Sequence, residues 1–343
     1  MYSAQDILNG IQNPSLIRNE IHNQYTRIYD TVINKMKERE QLDNDSRYGL
    51  VLNWGLHQRG EWTVAEYPYF INGFLNRFDP VILTSQSIYE AKASKIDNIF
   101  AFGARNKKGP TLEYLDEDHT VLLFASDPNN KPEWLYEYIH RNSVDRVLSP
   151  VYNPFFDWVP HLDEQMLEFF PWAVPEQFII NPEEIQYRGN DKIHLTGASG
   201  NEVYEMRDWC RQQEFVVDYN TSGHQNRVFS HSEYYQWLRK FDCMVATGSL
   251  KPRWQYLFGK YFEIPAAGNL LFAQYSADLN KAGFNDENCV IFDSKDSFKS
   301  NVNSYVENPE IYMNTRKRGA ELIKEKHTVS DRLDTVDSLF SSL

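Results

Sequence analysis

Apolar residues recur along this chain in two rhythms. Up to about residue 45 they keep a helical period, at Ile7, Ile11, Ile17, Ile21, Tyr25, Ile28, Tyr29, Val32, Ile33 and Met36, and then give way to a charged end from Lys35 to Asp45. Such a repeat predicts a helix, a helical segment over 1–45 ahead of the folded domains. From residue 46 the rhythm becomes short apolar runs: Tyr48–Trp54, Val81–Ser85, Ile99–Gly103, Thr120–Ala125 and Arg146–Pro150. Several of the intervals are long enough for helices, and that alternation predicts a parallel, helix-covered sheet. A second series, Lys192–Gly197, Glu214–Asp218, Cys243–Thr247, Asn269–Ala273 and Asn288–Phe292, predicts another. The expected organisation is a domain over 46–180 and a domain over 181–330. The run Phe170-Pro171-Trp172-Ala173-Val174-Pro175 and the polar stretch Asn181 to Asp191 serve as the hinge. From Pro309 the pattern predicts two helices meeting near His327-Thr328, the last of them, 331–343, crossing back to the N-terminal domain.

Length and composition agree with two domains and a cleft: 343 residues exceed one compact core, and 15% aromatics supply packed cores and walls for stacking. Cys210, Cys243 and Cys289 are odd in number and widely spaced, which reads as buried thiols rather than disulfides or zinc ligands. A net charge of -13 counts against a broad nucleic-acid-binding surface, although arginines at contact range can still hold a small anion. No apolar run reaches 18 residues and the first residues lack a basic-then-apolar leader, so a soluble, cytoplasmic protein is expected.

Three places carry candidate chemistry. Lys192–Gly197 runs into Gly197-Ala198-Ser199-Gly200 and then a helix from Glu202, a turn whose free amides suit a diphosphate. Thr247-Gly248-Ser249-Leu250-Lys251-Pro252-Arg253 offers the Ser249 hydroxyl and, with Lys260, local positive charge; the Arg253 guanidinium can fork two phosphate oxygens. Glu263 sits in the apolar run Phe262 to Ala267, before a helix exit at Gly268. A carboxylate there needs partners, and either ribose hydroxyls or an ion pair with Lys260 or Arg253 would supply them. In the N-terminal half, His57 and Glu61 lie in a glycine-punctuated loop after the first strand, and Asp127 follows another strand. Each is a candidate base. Glu61 equally suits a helix start, Asp127 a turn before proline, and His57 a loop hydrogen bond. The aromatic run from Tyr152 to Trp172 reads as hinge packing or an acceptor wall. The remaining histidines show no His-x-x-x-His pairing, and the chain is read without a metal-holding Asp-x-Asp, hence with no metal and no cofactor.

The pattern Gly197, Tyr204-Glu205-Met206-Arg207, Lys260 to Gly268, Asn308-Pro309, Arg318-Gly319 and His327-Thr328 with Arg332 resembles the GT-B glycosyltransferases, in the group 1 branch that includes CgeB-like proteins. The resemblance covers about residues 190 to 335 and implies a two-domain GT-B fold, two Rossmann-like domains facing a cleft, with a nucleotide-sugar such as a UDP-sugar bound by the C-terminal domain. It implies donor-binding roles for Gly197, Ser199, Arg207, Ser249, Arg253, Lys260, Glu263 and Gly268, with Glu263 on the ribose. The family's first glutamate falls eight residues before Glu263, where this chain has Gln255, so an inverting or retaining outcome stays open. The implied activity is metal-independent transfer of a sugar to a hydroxyl acceptor, a carbohydrate before a nucleic acid. A sugar-nucleotide epimerase of like architecture and a non-catalytic nucleotide-sugar-binding protein are the rival readings.

Overall fold

The computed structural model of the protein describes residues 14–62, 64–102, 112–116, 118–219 and 229–343. Ile7, Ile11, Gly103 and His224 lie outside them, as do the side chains of Ile17 and Ile21. The opening helix, α1, spans Pro14–Gln41. Two parallel sheets follow, as the alternating pattern predicts. The first has six strands, β1 (Tyr48–Val51), β2 (Val81–Leu83), β3 (Asn98–Phe102), β4 (Thr120–Phe124), β5 (Arg146–Ser149) and β6 (Leu167–Phe169), in the order β2-β1-β3-β4-β5-β6. The second has five, β7 (Ile193–Thr196), β8 (Val216–Tyr219), β9 (Cys243–Ala246), β10 (Leu270–Gln274) and β11 (Val290–Phe292), in the order β11-β10-β9-β7-β8.

Both sheets are covered on both faces, which is why their strands read as unbroken apolar runs. Under the first, Val51, Leu83, Ala101, Leu123 and Val147 pack with α4 (Gln86–Lys92) and α5 (Pro132–Arg141). On its other face Leu50, Ile82, Phe100, Leu122 and Leu148 meet α3 (Glu66–Phe78) and the last helix of the chain, α13 (Val329–Ser342). There a Cβ on Gly73 would stand 2.6 Å from the Leu333 side chain, so α3 and α13 approach closely only because residue 73 is glycine. In the second domain Met244, Ala246, Leu271 and Ala273 pack with α8 (His231–Leu238), α9 (Lys260–Ala266) and α12 (Met313–Lys326). Leu195, Val245 and Phe272 pack with α7 (Glu205–Arg211) and α11 (Lys295–Glu307).

The chain passes from the first domain to the second near 170–175 and returns at 327–328, where Val174 and Thr328 form a parallel bridge. Arg332, buried, clasps this double crossing: it donates to the Pro171, Trp172 and Lys326 carbonyls and to His327 Nδ1, while His327 Nε2 donates to the Ala282 carbonyl 2.7 Å away. The polar stretch 181–191 is anchored on the second domain, where Asp242 accepts the Arg188 and Asn190 amides. Contacts between the domains come from loops that follow strand C-termini. Asp278, after β10, accepts from the Tyr152 and Asn153 amides after β5, and the Tyr256 hydroxyl donates to Asn129 after β4. The carboxyl edges of the sheets therefore face one another, the place where open parallel sheets bind ligands. Among the described residues no helix is long and apolar enough to cross a membrane.

Candidate functional site

The second domain brings most of the predicted donor-binding residues to its carboxyl edge. After β7 the backbone enters Gly197 at φ 126°, and the Arg207 guanidinium covers that glycine so closely that a Cβ would lie 2.8 Å from Nη1. Glycine is required there twice over, by conformation and by contact. Arg207 is buried, donates to the Thr247 and Ala198 carbonyls, and is stacked between the Tyr204 and Phe258 rings at 4.5 and 5.1 Å. Burial lowers its pKa to about 10. It makes no ion pair with a carboxylate among the described residues.

Several of the amides expected to be free at this turn and helix start are taken. Met206 and Arg207 both donate their amides to the Gly248 carbonyl, Val203 donates to Asn201, and the Gly200 amide donates to Asp208. The sequence does not show this because Gly248 arrives from the loop after β9. Ser199 is exposed and Ser249 fully buried, its hydroxyl accepting the Lys251 amide. Gln274, at the end of β10, holds the 247–249 loop by accepting from the Thr247 hydroxyl and Gly248 amide and donating to the Ser249 carbonyl. Arg253 is half exposed, ion-paired with Glu202 at 3.3 Å, and lies over the rings of Trp158 and Trp254. It bridges the cleft mouth, because Trp158 belongs to α6 (Phe155–Trp158) of the first domain and donates its indole N–H to the Arg253 carbonyl.

Glu263 stands on α9, nearly buried, with Oε2 accepting from Lys260 at 2.6 Å and from the Tyr234 hydroxyl at 2.8 Å. Its other oxygen is directed toward Gly259, where a Cβ would be 3.3 Å away, so the glycine leaves that side of the carboxylate open. Both the internal ion pair and a carboxylate edge for further donors are present. Gly268, by contrast, ends α9 at the amino edge of the sheet with φ 82°, against Ile180 and Ile185. It shapes the helix exit, away from the cleft.

In the first domain, His57 lies on α2 (Trp54–Arg59); its Nδ1 accepts from the Trp62 indole and its Nε2 is 3.1 Å from Asn72 Oδ1, which places the proton on Nε2. Burial lowers its pKa, and the Asn72 bond offsets part of that. Glu61 is ion-paired with Arg59, which also binds Asp30. Asp127, exposed at the C-terminal end of β4, accepts from Ser126 and lies two residues from the Asn129–Tyr256 interdomain bond. The reading of the chain as lacking Asp-x-Asp needs correction: Asp43-Asn44-Asp45 and Asp116-Glu117-Asp118 have that spacing. Asp43 and Asp45 precede β1 and Asp116 and Asp118 precede β4, at the amino edge away from the cleft, and Asp45 is paired with Lys92 and Lys95.

One buried acid escapes sequence reasoning. Glu66 is buried at the start of α3 and accepts the Ala173 amide of the crossing at 2.8 Å. Burial pushes its carboxyl up to about 8; the Ala173 bond and Arg332 pull the other way, and the Glu263 charge from the second domain adds to the rise. An acid whose folded pKa lies above its unfolded value keeps its proton in the folded state while the unfolded chain loses it. Stability is therefore lost as pH climbs from near 4.5 toward 8. Glu66→Gln is expected to gain on the wild type by on the order of a few kcal/mol between pH 5 and pH 8.5 in urea unfolding. A pH-independent difference between the two proteins contradicts the assignment.

With this geometry in place, comparison with known proteins is informative. Residues 179–338 match the family model described as glycosyl transferase-like. Among solved structures, Anabaena Alr3699/HepE in complex with UDP-glucose superposes with a TM-score of 0.54 at 10% identity, covering 86% of this chain and 99% of that one. Its complex with UDP gives 0.52 over the same shares and identity. No curated protein matches the chain in sequence. Residues 179–338 are thus similar to a glycosyl transferase-like domain, and the two halves together have the GT-B fold.

Proposed function

We propose that the protein transfers a sugar from a nucleoside diphosphate donor, a UDP-sugar foremost, to a hydroxyl acceptor in the interdomain cleft, without a metal. Arg207 carries this reading. A buried guanidinium costs stability unless an anion compensates it, and among the described carboxylates none pairs with it directly, Asp208 being only a minor Coulombic neighbour. The donor diphosphate has the charge that is missing. The UDP and UDP-glucose complexes of Alr3699/HepE support the same donor class.

In this scheme Glu263 accepts from the ribose hydroxyls on its open side, while Lys260 and Tyr234 fix its other oxygen. Arg207, with Arg253 and Lys260 at the rim, balances the charge that grows on the diphosphate as the sugar carbon leaves it, and the exposed Ser199 offers a hydroxyl donor. An acceptor hydroxyl must give up its proton as it attacks. Asp127 is the preferred base, because it is exposed at the carboxyl edge of the first sheet, two residues from the Asn129–Tyr256 interdomain bond. Closure of the cleft excludes water, which would otherwise hydrolyse the donor.

Calorimetric titration separates a phosphate-binding Arg207 from a purely structural one. Arg207→Met is expected to weaken UDP binding by about ten- to a hundred-fold, the worth of one or two charge-assisted hydrogen bonds, and to leave uridine binding unchanged. Equal losses for UDP and uridine, or none for either, contradict the reading. Activity retained in excess chelator is the expected result for metal independence.

A further inference from the structure

We propose that the outward face of α1 is a docking surface for an anionic lipid bilayer. This helix is mounted with its polar side toward the protein. Asp30 binds Arg59 at 2.8 Å and Asn53 at 3.1 Å, Asn34 binds Asn53 and the Gly55 amide, Glu38 accepts from Thr84, and Gln41 accepts the Ile82 amide. Its apolar side faces solvent: Tyr25, Ile28, Val32 and Met36 are 62, 66, 51 and 55% exposed. Their spacing of three, four and four residues lines them along one stripe. Large side chains on a helix normally turn inward to a core, so a stripe turned outward across three turns calls for an apolar partner.

Charge identifies the partner. Lys35 and Arg39 are exposed on the same side as the stripe and make no ion pair among the described residues. The neighbouring acid, Glu40, is already taken by Lys37 at 3.1 Å. The face is therefore apolar and cationic on a chain whose net charge is -13. A second copy would present the same apolar stripe and the same two cations, with Asp43, beyond the end of the helix, as the nearby acid among the described residues not already paired. A bilayer with anionic headgroups supplies both complements at once, hydrocarbon beneath the stripe and phosphates beside the cations. Repulsion between the acidic body and the membrane is screened over about 8 Å at physiological salt, so the local face governs contact.

The full chain is expected to float with vesicles of equal parts phosphatidylglycerol and phosphatidylcholine and to remain behind with phosphatidylcholine alone. Ile28→Asp combined with Val32→Asp, and separately Lys35→Glu combined with Arg39→Glu, should each lower the partition by about ten-fold or more. These side chains are exposed, so the melting temperature should not move; the charge variant serves if the apolar one unfolds. Absence of flotation, or binding retained in both variants, overturns the proposal. So does a concentration-dependent dimer in lipid-free sedimentation that Ile28→Asp with Val32→Asp abolishes, since a second copy would then cover the stripe.

Discussion

Arg316→Leu is expected to destabilise the second domain by about 3–5 kcal/mol, the usual cost of leaving one half of a buried ion pair behind. Arg316 and Asp242 are 2% and 0% exposed in their side chains and meet at 2.8 Å. The guanidinium also donates to the Gly268 carbonyl at the exit of α9 and to the Gln186 carbonyl. Asp242 in turn accepts the amides that anchor 188–190. Removing the arginine leaves the buried carboxylate with the partly exposed Arg188, 3.6 Å away, in place of a close buried partner. Adding Asp242→Asn to Arg316→Leu should return part of the loss, because the amide still accepts the Arg188 and Asn190 N–H groups without carrying charge. Urea unfolding of the three proteins checks this; a single-variant cost under about 1 kcal/mol contradicts the pair's assigned role.

Glu263→Ala is expected to lower donor turnover, as kcat/KM, by roughly a hundred- to ten-thousand-fold. That is the worth of two hydrogen bonds to a charged acceptor, at about 1.5–3 kcal/mol each. Tyr234→Phe is the companion, since it removes one donor to Glu263 and leaves the carboxylate and Lys260 in place. Its effect should stay below about ten-fold. If Tyr234→Phe and Glu263→Ala cost the same, the carboxylate serves the helix packing rather than the ligand.

The fold was legible where the physics is local. Leu270–Gln274 is buried at every position because helices cover both faces of the sheet, and a run of that kind stands out in any reading of the chain. β6 was not found: it has three residues, lies at the sheet edge, and its Glu168 breaks the apolar run. α1 was visible by its period, yet the period alone does not tell which way the apolar side turns, and here it turns outward.

The candidate site divides in the same way. Glu263 stood out as an acid in an apolar run, and Gly197 as a glycine after a strand. Tyr234, twenty-nine residues before Glu263, has no local signal, because the contact is made only when α8 and α9 pack on the same face of the second sheet. Gly248, which occupies the helix-start amides, and Gln274, which braces its loop, arrive from separate strand ends for the same reason. His327 and Arg332 form part of the resemblance, but their work as a clasp on the domain crossing depends on carbonyls about 160 residues away. Asp278 and Glu66 carry no local signal, and only tertiary packing turns each into an interdomain contact.

The central claim is that the cleft turns over a nucleoside diphosphate sugar. Release of nucleoside diphosphate from a panel of UDP-, GDP-, ADP- and TDP-sugars, measured with the full chain with and without added glycan acceptors, tests it most directly. The expected result is saturable release with at least one donor, UDP-sugars first, raised by an acceptor and suppressed by Glu263→Ala. Isomerised sugar appearing without acceptor would point to an epimerase, and no binding or release from any donor at millimolar concentration would contradict the account.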